Sequence, residues 1–177
     1  NRNWGCFMDT LIDKNDVVKD DIKTIVVEFL DNSEIPYNVI EIDGVEKTAG
    51  MLESSVIDTS KSSDSSRYGF RLYGAKTDDL SIVGINNING SVFDENVNEI
   101  IVGKSLAEEE NYTIGDKVDV YGNEFKITGI YETGSIFYDS AMYTGLGKLQ
   151  NLTDNEDKIS SISIKIKKEA NLTTVND

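Results

Sequence analysis

Histidine is absent from these 177 residues and cysteine occurs once, at Cys6, so carboxylates, hydroxyls, lysines and aromatic rings are the side chains left to do chemistry. Ser-His-Asp and Cys-His catalysis and imidazole metal sites are excluded, and a lone thiol makes no disulfide within the chain. Asp94-Glu95-Asn96-Val97-Asn98 places oxygen ligands at alternate positions, as a calcium loop begins. Such a loop needs glycine at its sixth position and a bidentate glutamate at its twelfth; Glu99 and Ser105 stand there instead, which predicts an exposed turn. Glu108, Glu109 and Glu110 are consecutive. On a helix they point about 100° apart and solvate it rather than converge on a substrate. Lys104-Ser105 offers a lysine-activated hydroxyl, but adjacent side chains would need unusual geometry and Ser105 is better placed to cap a helix. Thr144, Gly145, Gly147 and Lys148 lack the Gly-x4-Gly-Lys-Ser/Thr order of a phosphate loop. Asn89, Asn111, Asn151 and Asn171 each open an Asn-x-Ser/Thr sequon, which permits an outside location without demonstrating one. The remaining group is aromatic: Tyr131, Phe137, Tyr138 and Tyr143 flank Gly134. Core packing is the default for the group, and Phe137 and Tyr138 are the candidates for a partner-contact loop, because exposed loop aromatics favour binding. No residue is assigned a catalytic, cofactor-binding or metal-ligating role.

The elements that would position these residues follow from apolar spacing. A weak helical pattern covers the first twenty residues or so. Residues 22–30 fit a helical face but carry the β-branched run Thr24-Ile25-Val26-Val27, which favours a strand. Ser33 caps a short helix with Pro36 in its first turn and Gly44 at its end. Residues 45–57 read as a strand, 60–67 as a serine-rich loop, and 68–75 as an antiparallel return in which Phe70 and Leu72 alternate with polar residues. Residues 80–93 read as a helical turn and an irregular crossing, and 99–102 as a strand. Ser105 and Glu108 suggest a capping box for a helix over 106–111. A two-residue Gly122-Asn123 turn then makes a hairpin that sets Val120 opposite Phe125, Val118 opposite Ile127 and Asp119 opposite Lys126. After the Phe137-Tyr138 loop, Thr144 caps a helix that turns Leu146, Leu149 and Leu152 inward. Ile162, Ile164 and Ile166 alternate as a half-buried strand, and a further helix begins over 170–175. No period of 20 to 50 residues recurs.

Thirty-two acids against 17 bases give a net charge of −15, so nucleic acid and anionic membrane surfaces are poor partners. No apolar run long enough to cross a bilayer and no signal peptide is present. The chain opens Asn1-Arg2-Asn3-Trp4 and stops at Asp177 within a helix-like pattern, which reads as a domain of something longer. The element order predicts an α+β protein of two lobes. A porter-like βαβ lobe comes from residues 1–67 and 136–177, its C-terminal end truncated, and a small β-rich α/β lobe over 68–135 is inserted into it.

Three stretches also carry a resemblance: Ile42-Asp43-Gly44-Val45-Glu46-Lys47; residues 69–77, with Gly74 closing the strand; and residues 99–134. The last contains Val102-Gly103, Leu106-Ala107, Ile114-Gly115-Asp116 and Phe125-Lys126-Ile127-Thr128-Gly129-Ile130. With Leu149 and the strand 162–166 they resemble, in order and spacing, the extracytoplasmic (periplasmic) core domain of MacB/FtsX-type ABC transporter permeases. The resemblance implies a position between two membrane helices of the parent, on the extracytoplasmic face of the cell membrane, and no enzyme activity or cofactor of its own. It further implies ATP hydrolysis in a separate nucleotide-binding ATPase subunit or domain, a permease homodimer, and a substrate or adaptor protein as partner. The competing reading is a cell-surface adhesion or pilus-like module. A histidine-free hydrolase comes third, and would require a carboxylate or lysine of displaced pKa in a cleft.

Overall fold

A computed structural model describes residues 23–28, 45–57 and 69–167. Cys6, the leading helix, the Ser33-capped helix, the 60–67 loop and the closing helix expected from the sequence lie outside the described residues.

The β-branched run forms strand β1 (Lys23–Glu28), and thirteen residues form β2 (Val45–Ile57), long enough to serve two partners. Up to Met51, β2 pairs with β9 (Ser161–Ile166); from Leu52 onward it pairs with β3 (Gly69–Ala75), both antiparallel. β1 lies on the far side of β9. Beyond β3 come β8 (Ala141–Gly145), β5 (Glu99–Gly103), β7 (Asn123–Tyr131) and the short β4 (Ile88–Gly90), giving the sheet order β1-β9-β2-β3-β8-β5-β7-β4. β6 (Lys117–Val120) pairs with β7 off this path. The β3–β8 and β5–β7 pairs are parallel. β8, from the chain's last third, therefore sits between β3 and β5.

Helices α1 (Lys104–Glu110) and α2 (Leu146–Leu152) follow β5 and β8 without a loop. Their Leu106, Ala107, Leu146 and Leu149 join Leu72, Ile100, Val102, Phe125, Ile127 and Met142 in one core. The alternate residues Ala75, Ile101 and Tyr143 face a second core, closed by Leu80, Ile85 and Phe93 of the 76–98 crossing. Period-2 alternation thus feeds two cores from one sheet. β9 is buried on both faces: its isoleucines enter the first core, and Ser161 and Ser163 are buried too, so it is not the half-buried strand expected.

Four local expectations are corrected. The hairpin turn is Tyr121-Gly122, one residue earlier than Gly-Asn, and the register is Val118↔Phe125, Asp119↔Glu124 and Val120↔Asn123. A two-residue hairpin of this type needs φ > 0 at both central positions, and Tyr121 (φ 53°) and Gly122 (φ 76°) supply it. The register moves by two, which preserves facing, so Val118, Val120, Phe125 and Ile127 still share a core. Tyrosine is an unusual residue in that left-handed conformation. Its hydroxyl is held, donating to the Ser55 carbonyl at 3.1 Å and accepting from Ser54 Oγ, which ties the hairpin tip to β2. Second, Ser105 does not cap α1; the N-cap is Gly103, with no side-chain cap bond, and the helix starts at Lys104. Third, Thr144 does not cap α2; it is a buried β8 residue whose Oγ1 donates to the Glu99 carbonyl at 2.8 Å, and Gly145 is the N-cap. Fourth, the crossing contains a strand, β4, antiparallel to β7.

Candidate functional site

Both glycine N-caps exist because another backbone presses against them. A Cβ on Gly103 would overlap the Asp139 backbone carbonyl, and one on Gly145 would stand 2.8 Å from Glu95 Cα. At each corner the acid whose backbone crowds the glycine also grips a threonine. Asp139 Oδ1 accepts from Thr133 N–H and Oγ1–H, both at 2.8 Å; Glu95 Oε1 accepts from Thr77 N–H at 2.7 Å and Oγ1–H at 2.9 Å. Each threonine comes two residues after a strand end, Tyr131 in β7 and Ala75 in β3. β5 and β8 are antiparallel, and β7 and β3 are their respective parallel partners, so the two corners are related by an approximate local two-fold. The pieces recur in chain order, β3-Thr77-Glu95-β5-Gly103-α1 and then β7-Thr133-Asp139-β8-Gly145-α2, but the threonine and the acid are 18 residues apart in one and 6 in the other, so a search for a fixed period misses them.

Between Thr133 and Ala141 the first corner carries a loop, and here the aromatic group divides. Tyr131 and Tyr143 are buried, edge-to-face at 5.5 Å, with Tyr73 stacked on Tyr143 at 5.0 Å. Burial pushes both phenols above the ordinary tyrosine pKa, with the neighbouring ring adding to it. Tyr131 therefore keeps its proton, shared between the Tyr138 carbonyl at 2.8 Å and the Ala141 carbonyl at 3.1 Å. Phe137 and Tyr138 project outward, 62% and 59% exposed, beside Ile136 at 80%. The sequence reading missed Ile136, although it directly precedes the two aromatics. The loop is ordered from beneath: Asp139 N–H donates to the Ser135 carbonyl at 2.8 Å and Ser140 Oγ to the Ile136 carbonyl at 2.7 Å. From the side, Arg71 Cζ lies 4.7 Å from the Phe137 ring centre, and Phe137 meets Tyr138 edge-on at 5.4 Å.

The candidate chemical residues are occupied elsewhere. Asp94 Oδ1 accepts from Asn96 N–H at 2.8 Å and Glu99 Oε2 from Asp94 N–H at 2.9 Å, so these carboxylates shape a turn. Among the described residues, no three acidic or sulfur ligands converge as a metal site would require. Lys104 Nζ is bonded to Glu132 at 2.8 Å, not to Ser105, and that carboxylate holds the ammonium above the ordinary lysine pKa. The groove of about 470 Å³ beside it, lined by Ala107, Tyr112 and Ile130, thus has no neutral amine to act as a base. No helix among the described residues is long and apolar enough to cross a membrane.

Comparison with known proteins says to which kind of domain this glycine-cornered sheet belongs. The family model described as the MacB-like periplasmic core domain matches residues 11–177. The chain belongs to that family. This MacB-like domain is similar in fold to the periplasmic region of MacB from Actinobacillus actinomycetemcomitans, with a TM-score of 0.64 at 14% identity over 89% of this chain and 79% of that one. It is similar also to the extracellular domain of the noncanonic ABC-type transporter YknZ from Gram-positive bacteria, with a TM-score of 0.58 at 17% identity over 84% of each chain. By sequence, no curated protein is similar enough to count as a match. The domain is therefore α+β, of the extracytoplasmic type found in MacB-like ABC transporter permeases, and its relatives are transporter domains rather than enzymes. The match lends no support to the adhesion reading.

Proposed function

We propose that this domain couples ATP hydrolysis in a separate cytoplasmic nucleotide-binding ATPase subunit to export or release of a substrate, by relaying movement outward from a permease homodimer. The observation that supports the relay is β2, one strand hydrogen-bonded to β9 in its first half and to β3 in its second, so that displacement at one end is carried to the other. Residues 1–67 with 136–177 and residues 68–135 are taken as the two lobes, with β8 interleaved between strands of the second as a tie. The parent would sit in the cell membrane with this domain outside, and Phe137 and Tyr138 would meet a substrate or adaptor protein.

The test uses the parent permease reconstituted with its ATPase subunit. With Cys6 replaced by serine, Val97→Cys carries a spin label at an exposed position. ATP with vanadate is expected to change the label–label distance between protomers. A distance indifferent to nucleotide overturns the relay.

A further inference from the structure

The first corner's loop presents three consecutive large apolar side chains, Ile136, Phe137 and Tyr138, each more than half exposed. They are held in place by Asp139, Tyr131 and Ser140 rather than left mobile, so little ordering remains to be done on contact. Arg71 over Phe137, with Tyr138 against its edge, assembles the residue types that dominate binding at protein interfaces. We infer that Ile136, Phe137 and Tyr138, with Arg71, form a docking knob for an extracytoplasmic protein that offers an apolar pocket rimmed by lysine and arginine. The inference rests on the relay reading and names the kind of partner its contact loop takes.

Charge selects the rim. The chain carries −15, and two cations beside the loop are already paired: Arg71, on the Phe137 ring, with Glu53, and Lys104, within the field of Asp139, with Glu132. The field around the knob therefore attracts a basic partner and opposes both an anionic bilayer and a second copy of the chain. Position agrees. The outer end of β9, Ile166, is level with Lys23 of β1 and Val45 of β2, whereas Arg71 is level with Ser55, ten residues further along β2. At the rise of a strand the knob stands about 30 Å from the pole where β1 starts and β9 ends.

The experiment places p-benzoylphenylalanine at position 137 of the full-length permease in its native membrane, irradiates, and sequences the cross-linked peptide. The expected product joins one extracytoplasmic protein through a peptide in which lysine or arginine flanks apolar residues. Its yield should fall about tenfold between about 0.05 M and about 0.5 M salt, as screening of a charge-steered contact requires. Ile136→Asp should reduce the adduct by a similar factor, while Val97→Asp, also exposed but remote from the knob, leaves it unchanged. An adduct with phospholipid, an adduct with a second copy of the chain, a yield indifferent to salt, or no adduct each overturns the inference. If the adduct is missing while the Val97 label distance still responds to nucleotide, docking falls and the relay stands. An adduct beside a static distance supports docking and removes the relay.

Discussion

Two corners of this domain use one backbone device and differ in what they hold up. At the first, Gly103 opens α1 beneath the backbone of Asp139, a buried carboxylate locked onto Thr133, and the loop so anchored lifts Ile136, Phe137 and Tyr138 into solvent. At the second, Gly145 opens α2 beneath the backbone of Glu95, a half-buried carboxylate locked onto Thr77, and the loop so anchored is a polar turn around Asp94 and Asn96. The scaffold is shared, and only one side is dressed for contact. Burial explains which side tolerates the dressing: a loop clamped by a desolvated carboxylate and a buried phenol resists collapse of its apolar residues onto the surface.

Breaking the clamps separates the corners most sharply. Gly103→Ala drives a methyl into the Asp139 carbonyl and should cost about 3 kcal/mol in urea unfolding, against about 2 kcal/mol for Gly145→Ala, whose obstruction at 2.8 Å is milder. Equal costs would mean that the two corners yield alike and that neither is held more tightly. Asp139→Ala removes a buried carboxylate and leaves the part-buried Thr133 amide without its acceptor, which should cost about 2 kcal/mol, whereas Glu95→Ala, at a half-buried acid nearer water, should cost about 1 kcal/mol. The former should also accelerate proteolysis within 133–140, and unchanged cleavage there would deny that Asp139 orders the knob. Tyr121→Phe removes the tie between hairpin and β2 without touching either corner, for an expected loss of about 1 kcal/mol. The smallest effect is acidic. Asp116 accepts from Thr113 N–H and Oγ1–H, which hold its carboxyl below the ordinary 3.8. A folded-state pKa below the unfolded one contributes stability above pH 3.8 that disappears as pH falls through the lower value. Asp116→Asn should remove that part of the acid dependence of unfolding, measured by circular dichroism, and leave both corners intact.

Local pattern told much of the fold. The strand read at 68–75 was legible because burial on a pleated surface repeats every second residue, whereas those read at 99–102 and 162–166 showed through their β-branched residues although both are buried on both faces. The helix starts were misread because serine and threonine cap helices only when their side chains are free to turn back, and here neither does: Thr144 is spent on the Glu99 carbonyl, and Gly103 and Gly145 are fixed by distant backbones. The hairpin slipped by two because glycine lies in the turn under either register. Of the candidate site, Phe137 and Tyr138 were nameable from their loop setting, but their difference from Tyr131 and Tyr143 was not, since all four are aromatic residues within 13 positions of one another.

The sequence by itself determined the exclusions, the apolar faces of the strands and the family resemblance, because residue types and their period are local properties of the chain. Tertiary structure alone decided which strand lies between β3 and β5, which carboxylate is buried and which aromatics emerge. Those outcomes depend on segments far apart in the chain competing for the same desolvated space, and no local pattern records who wins.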